Sequence, residues 1–178
     1  MAKSIAELFN KKVQQRLAQT LRELPAILGE EAVNFSLQSF DQEAWSGYSQ
    51  EVWKKRKNPT KWGMNDEVGR ALLVKTGRGK RSIRVSRVLK DKVFIAAGGA
   101  EAPYMRVHNF GFRGKVTQNV QPFTRKTRSG KTQKVKGFTR TINQNIPKRM
   151  FIGGQKQSPY LKARLKRATV HELRTIFK

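Results

Sequence analysis

The side chains that could move protons or hold a metal are few in this chain and poorly spaced for either task. Its two histidines, His108 and His171, are far apart in sequence, and neither stands in a metal-ligand spacing. Carboxylates occur mainly as Glu30-Glu31 and Asp66-Glu67, without the Asp…Glu-x-Lys pattern of many DNA-cleaving folds. A two-metal nuclease needs clustered carboxylates to hold its cations. His108 follows a Pro103-Tyr104 turn and reads as structural. There is no cysteine, which removes thiol catalysis, cysteine-ligated zinc and a disulfide framework. The run Thr76-Gly77-Arg78-Gly79-Lys80-Arg81-Ser82 invites a phosphate-loop reading and fails it. That loop needs a glycine five residues before Gly79, where Val74 stands, and Ser or Thr after Lys80, where Arg81 stands. The expectation is a protein that is not an enzyme and uses no cofactor or metal.

What the chain does have is cation. It carries 38 Lys and Arg against 12 Asp and Glu, a formal net charge of +26. Between Ala102 and His171 there is no Asp or Glu at all, yet there are 17 Lys and Arg. Such a surface repels itself unless nucleic acid, an acidic protein surface or an anionic membrane lies near it. No zinc-finger spacing, ribonucleoprotein signature or basic zipper is present to read bases. Phe123 and Phe138 are the only aromatics of the basic segment, fewer than a single-strand binder wants for stacking. Charge without a reading head fits contact with phosphates irrespective of sequence, or contact with an acidic protein surface. The candidate contact residues are Arg78, Lys80, Arg81, Arg125, Lys126, Arg128, Lys131, Lys134, Lys136 and Arg140.

Elements must position these residues. A length of 178 residues with 37% hydrophobic composition is enough for one domain with a buried core. No apolar run approaches the ~20 residues of a membrane span, and the first residues lack the apolar stretch of a secretory signal. The expectation is therefore a soluble intracellular product that contacts no membrane. Ile5, Leu8, Phe9, Val13, Leu17, Leu21 and Leu24 recur at helical spacing, with Ser4 and Glu7 as a capping box. Pro25 is expected to break or kink that helix, and a second helical pattern follows through Ile27, Leu28, Ala32, Phe35 and Leu37. Trp45, Tyr48, Trp53 and Trp62 sit in an irregular stretch, residues 41–63, read as an ordered loop pinned by its aromatics.

Val68, Ala71, Leu72 and Leu73 suggest a short helix or turn, and Thr76 to Gly79 a turn that leads into a strand. Ile83, Val85 and Val88 then alternate with Arg84 and Arg87 as a half-buried strand, and residues 93–97 form the next. A short helix or loop starts at Ala102, and Asn109-Phe110-Gly111 turns the chain. Residues 115–145 hold sparse apolar points in a basic field. They read as a two-stranded ribbon with its tip at Ser129-Gly130, or as an unstructured basic loop. From Pro159 onward Leu161, Leu165, Ala168, Leu173 and Ile176 mark a C-terminal helix. Ser158 is its N-cap, and Lys162, Arg164, Lys166 and Arg167 lie on its exposed face. The reading is α+β in one domain. Residues 1–40 are N-terminal helices packed on a small, mostly antiparallel sheet, and 41–114 are loop and sheet. Residues 115–145 are a basic β-ribbon or loop extension, and 146–178 a closing segment and C-terminal helix.

Taken in order, several stretches resemble a known family. They are Ser39-Phe40, Trp53-Lys54-Lys55-Arg56-Lys57, Leu72-Leu73-Val74-Lys75-Thr76-Gly77-Arg78, Ser82-Ile83 and Val93-Phe94-Ile95. They continue through Pro103-Tyr104-Met105-Arg106-Val107-His108-Asn109-Phe110-Gly111 and Ile146-Pro147-Lys148-Arg149-Met150-Phe151-Ile152-Gly153 to a terminal helix. This order is similar to that of the tail-completion and virion-morphogenesis proteins of tailed bacteriophages, over roughly residues 35–178. Trp53, Gly77, Tyr104, His108, Gly111, Pro147, Arg149 and Phe151 are the motif positions. The chain departs from the family pattern at Gly79, where leucine is usual after Thr-Gly-Arg, and in a longer and more basic 115–140 segment.

The resemblance implies a small α+β virion subunit at the neck. It would be a tail terminator or head–tail joining protein forming rings with itself, commonly hexamers. Its implied partners are the tail tube, head-completion or connector proteins, and packaged DNA, with assembly in the host cytoplasm. A cellular nucleic-acid-binding protein of ribosomal or nucleoid type, using a basic arm on phosphates, is the alternative. A nuclease or packaging enzyme would need the carboxylate clusters that the chain lacks.

Overall fold

The computed structural model describes residues 5–55 and 71–177. The expected cap at Ser4 and Glu7, along with Trp62, Asp66, Glu67 and Val68, lies outside the described residues and side chains. The fold is α+β.

Helix α1 (Ile5–Asp41) runs unbroken through Pro25, so one helix of 37 residues replaces the two expected. An interior proline costs about 3 kcal/mol through a lost hydrogen bond and a ring clash. Tertiary packing just beyond it offsets that cost. Gly29 is buried where a Cβ would stand 2.9 Å from Val93 and 3.0 Å from Val85. The helix backbone therefore lies directly on the hairpin of β3 (Arg84–Val88) and β4 (Val93–Ala96). That hairpin forms where the alternation placed it, but Ile83 precedes the strand, and Val88 is exposed because the register shifts between Val85 and Arg87.

After α1 the chain forms a short hairpin, β1 (Ala44–Ser46) with β2 (Gln50–Val52), inside the stretch expected to be irregular. Strands of three residues are too short to show alternation in a sequence. Its aromatics do anchor it: Trp45 and Trp53 are buried, whereas Tyr48 is exposed. Residues 72–73 form a turn. Gly77, at φ +66°, starts a single helical turn, α2 (Arg78–Arg81), where a plain strand-leading turn was expected. Helix α3 (Met105–Phe110) takes in Asn109 and Phe110, and Gly111 alone, at φ +76°, turns the chain.

The basic segment is a ribbon. β5 (Phe112–Val120) pairs antiparallel with β8 (Phe138–Ile146) through nine residue pairs in register. β6 (Phe123–Lys126) then pairs with β7 (Thr132–Val135), and the chain reverses around Ser129 and Gly130. At ~3.3 Å per residue, β5 alone extends about 30 Å. Among the described residues, each of the four sheets has two strands. The small sheet expected under the helices is thus a set of separate hairpins.

Helix α4 (Pro159–Thr175) closes the fold against α1. Ser158 caps it as expected, its Oγ accepting from the Leu161 N–H at 3.0 Å while donating to the Ser46 carbonyl. Arg164 is not on the exposed face. It leans onto α1, with Nε 2.7 Å from Glu31 Oε2 and Nη1 donating to Gln38 Oε1 at 3.0 Å.

Among the described residues, two hydrophobic clusters form the interior. One holds Phe40, Trp53, Leu72, Ile83, Met105 and Phe151, and the other Phe35, Trp45, Met150, Leu161 and Leu165. Met150 and Phe151 are adjacent in an extended segment, so their side chains point opposite ways and tie the two clusters together.

Candidate functional site

Of the motif positions, Trp53, Tyr104, His108, Gly111, Arg149 and Phe151, far apart in sequence, gather around one junction, while Gly77 starts α2. Asn109, at the last turn of α3, is 2% exposed. Its Oδ1 accepts the Phe151 N–H at 2.9 Å and the Ile152 N–H at 3.1 Å, and its Nδ2 donates to the Ile152 carbonyl at 3.1 Å. The amide thus satisfies three backbone groups of a segment that has no strand partner there. Beside it, the Arg149 N–H donates to the His108 carbonyl at 2.8 Å. The Arg149 guanidinium donates from Nε and Nη2 to the Lys54 carbonyl at 3.0 and 2.8 Å. Trp53 Nε1 donates to the Met150 carbonyl at 2.8 Å. Phe151 is fully buried, with its ring 5.1 Å from that of Phe40.

Gly111 follows α3 where a Cβ would stand 3.0 Å from the Lys148 nitrogen and 3.2 Å from the Ile146 oxygen. The chain crosses itself there, at the root of the ribbon, and Pro147 lies between Ile146 and the junction. Both strands of the ribbon are therefore clamped at one buried point.

His108 belongs to this junction. Its ring stands edge-on to Tyr104 at 6.0 Å, and its Nδ1 is buried without a hydrogen-bond partner among the described residues. Burial first, and the Arg149 charge second, hold its pKa below the ordinary 6.5. The imidazole is kept neutral beside a cation. His171 is exposed on α4. Among the described residues, no three His, Asp or Glu side chains gather closely enough to hold a metal ion, and no helix is long and apolar enough to cross a membrane.

The cationic candidates fall into two groups. Arg78, Lys80 and Arg81 sit on α2, against the body: a Cβ on Gly79 would meet Met105 and Tyr104. Lys80 is engaged with Asp41 at 2.5 Å, and Arg81 donates to the Thr76 carbonyl at 3.1 Å. Of these three, only Arg78 is an exposed cation with no such internal partner among the described residues. Arg125, Lys126, Arg128, Lys131, Lys134, Lys136 and Arg140 are all exposed on the ribbon. Among the described residues, none has a carboxylate within ion-pair distance. Two of them are nevertheless oriented. Arg140 forks onto the Oε1 of Gln118 at 3.0 and 2.8 Å, and Arg125 onto the Oε1 of Gln133 at 3.1 Å through both nitrogens. Each fork joins residues directly opposite each other in the ladder. The side edge of each guanidinium is occupied, and its terminal edge points away from the partner.

No residue between Phe110 and Lys148 is buried. The ribbon is an arm, and the cations on it are free to meet something outside the chain. The residue that sequence reasoning missed is Asn109, read only as part of a turn. An asparagine in a His-Asn-Phe-Gly run carries no sign of the extended segment, some 40 residues on, that it latches. No protein-family model, curated protein or solved structure matches this chain.

Proposed function

We propose that this protein is a non-enzymatic structural subunit of a tailed-phage virion: a tail-completion, terminator or head–tail joining protein that forms a ring at the neck. The observation that carries this reading is an exposed basic arm rooted at the junction where the segments of the resemblance interlock, Asn109 and Arg149 holding both of its ends. A bridging subunit needs a rigid mount and a projecting contact surface, and the two coincide here. Cations on a two-stranded ribbon suit packaged DNA, which must pass without sequence readout, and they suit acidic faces of the tail tube or connector. Assembly takes place in the host cytoplasm and the working form is in the particle.

Repulsion at +26 per subunit opposes self-association in dilute buffer and is screened over ~10 Å at 0.1 M salt. Native mass spectrometry at rising salt, with negative-stain imaging, is expected to show closed rings that strengthen with salt or with tail tube. A chain that stays monomeric at every salt, both alone and mixed with tail tube, would overturn the reading.

A further inference from the structure

The β5–β8 ladder has two unlike faces. Residues directly opposite each other in an antiparallel pair project to the same side, and the sides alternate along the strand. In the observed register one side carries Phe112 with Ile146, Val116 with Ile142, and Val120 with Phe138. The other side carries Arg113, Lys115, Thr117 and Asn119, each opposite Asn or Thr. The apolar side is not part of the core: Phe112 and Phe138 are 37% and 45% exposed, and among the described residues no other element packs extensively on either strand. Packing among the described residues does not account for this row.

Contact with phosphates does not account for it either. Lys, Arg and backbone N–H groups make such contacts, and the aliphatic side chains of Val116, Ile142 and Ile146 have no π-face on which a base could stack. An apolar strip flanked by polar side chains and one oriented cation, on an arm whose opposite face carries Arg113 and Lys115, is instead the makeup of a protein interface, with an apolar centre and a polar, charged rim. Arg140 lies on this same face, opposite Gln118, and the fork to Gln118 leaves its terminal edge open for a carboxylate. A second copy of the ribbon is a poor partner, since no Asp or Glu occurs between Ala102 and His171.

We infer that the β5–β8 ribbon docks, apolar face down, on an acidic protein surface that carries an apolar strip, and that nucleic acid is not its partner. This rests on the reading of the ribbon as the contact surface, and it narrows the class of partner.

The test uses the full chain and three fluorescent probes: a peptide alternating Glu and Val, a peptide of equal length and charge alternating Glu and Ser, and a short DNA duplex. Anisotropy at ~0.15 M and ~0.5 M salt separates screened from unscreened binding. The Glu–Val peptide is expected to bind about tenfold more tightly than the Glu–Ser peptide, and to keep that margin at the higher salt. Val116→Thr combined with Ile142→Thr should erase the margin, while threonine retains the strand preference of the ribbon. Should that pair unfold the arm, as judged by circular dichroism, Val116→Thr alone is expected to cut the margin in part. Equal binding of the two peptides, with DNA bound more tightly and unaffected by the threonine pair, overturns the inference but leaves the ribbon a contact surface. Loss of self-association in the threonine pair, measured by sedimentation, overturns it in favour of a second copy. If reversing Arg125, Lys126, Arg128, Lys131, Lys134 and Lys136 together changes no binding at all, the ribbon reading itself fails with it.

Discussion

The side-chain amide of Asn109 substitutes for a β-strand partner of Phe151: its Oδ1 accepts the Phe151 N–H at 2.9 Å inside the core, 42 residues away in sequence. With the Arg149 N–H on the His108 carbonyl and Trp53 Nε1 on the Met150 carbonyl, this contact fixes where the ribbon returns to the body, with Phe151 seated against Phe40.

Asn109→Ala should therefore be costly. It strands the buried Phe151 N–H and the partly buried Ile152 N–H and carbonyl, and an unsatisfied buried group costs about 1–3 kcal/mol. A loss of roughly 3 kcal/mol is expected, lowering Tm by about 6–12 °C in a chain of this size. Calorimetry showing a change under about 1 °C would remove the latch from this account.

Phe151→Ala should cost about 3–5 kcal/mol, because the site is fully buried and walled by Phe40, Trp53 and Met105. Phe110→Ala, at a residue 66% exposed, should stay within about 0.5 kcal/mol. Equal denaturant midpoints for the two variants would contradict the placement of Phe151.

His108 makes stability depend on pH in a stated direction. Its folded pKa lies below the unfolded 6.5, chiefly through burial. The unfolded chain binds the proton more readily, so this contribution is fully present above about pH 6.5 and is lost as pH falls through the folded value. Tm should decline from about pH 7.5 to pH 5, and His108→Gln should flatten that part of the profile. A wild-type profile that parallels the variant's would refute the assignment.

The ribbon should be dispensable for folding. Arg113 and Asn145 stand opposite each other in the ladder, so replacing residues 114–144 with Asn-Gly closes the stump with a two-residue hairpin turn. With no buried residue in the excised part, Tm is expected to stay within about 4 °C, while binding to acidic probes disappears. Loss of the cooperative transition would show that the arm supports the core after all.

Ser158→Ala should cost about 1–2 kcal/mol, since its hydroxyl both caps α4 and ties it to Ser46. Pro159→Ala, at the first turn of the same helix, should cost less, because no N–H partner is lost there. Chemical denaturation of both variants ranks them, and the reverse order would contradict the capping role.

Much of this molecule was legible from the order of its residues alone. The Ser158-Pro159 start of α4, the β3–β4 alternation and the ribbon tip at Ser129-Gly130 are local signals, written in a few neighbouring side chains. So is the absence of Asp and Glu from 102 to 171, which marks the arm as a charged surface whatever its conformation. Tertiary structure decided what depends on distant partners. Pro25 did not end α1, because the packing of Gly29 on Val85 and Val93 outweighs a local penalty. Lys80 and Arg164 became internal ties once Asp41 and Glu31 were brought beside them. Sparse apolar points such as Val116 and Ile142 became one face only when register set them opposite each other, since a slip of one residue would send each strand's row to opposite sides. Asn109 reads as a turn residue until the chain returns to it, because a hydrogen bond between residues 42 apart leaves no periodicity in either segment.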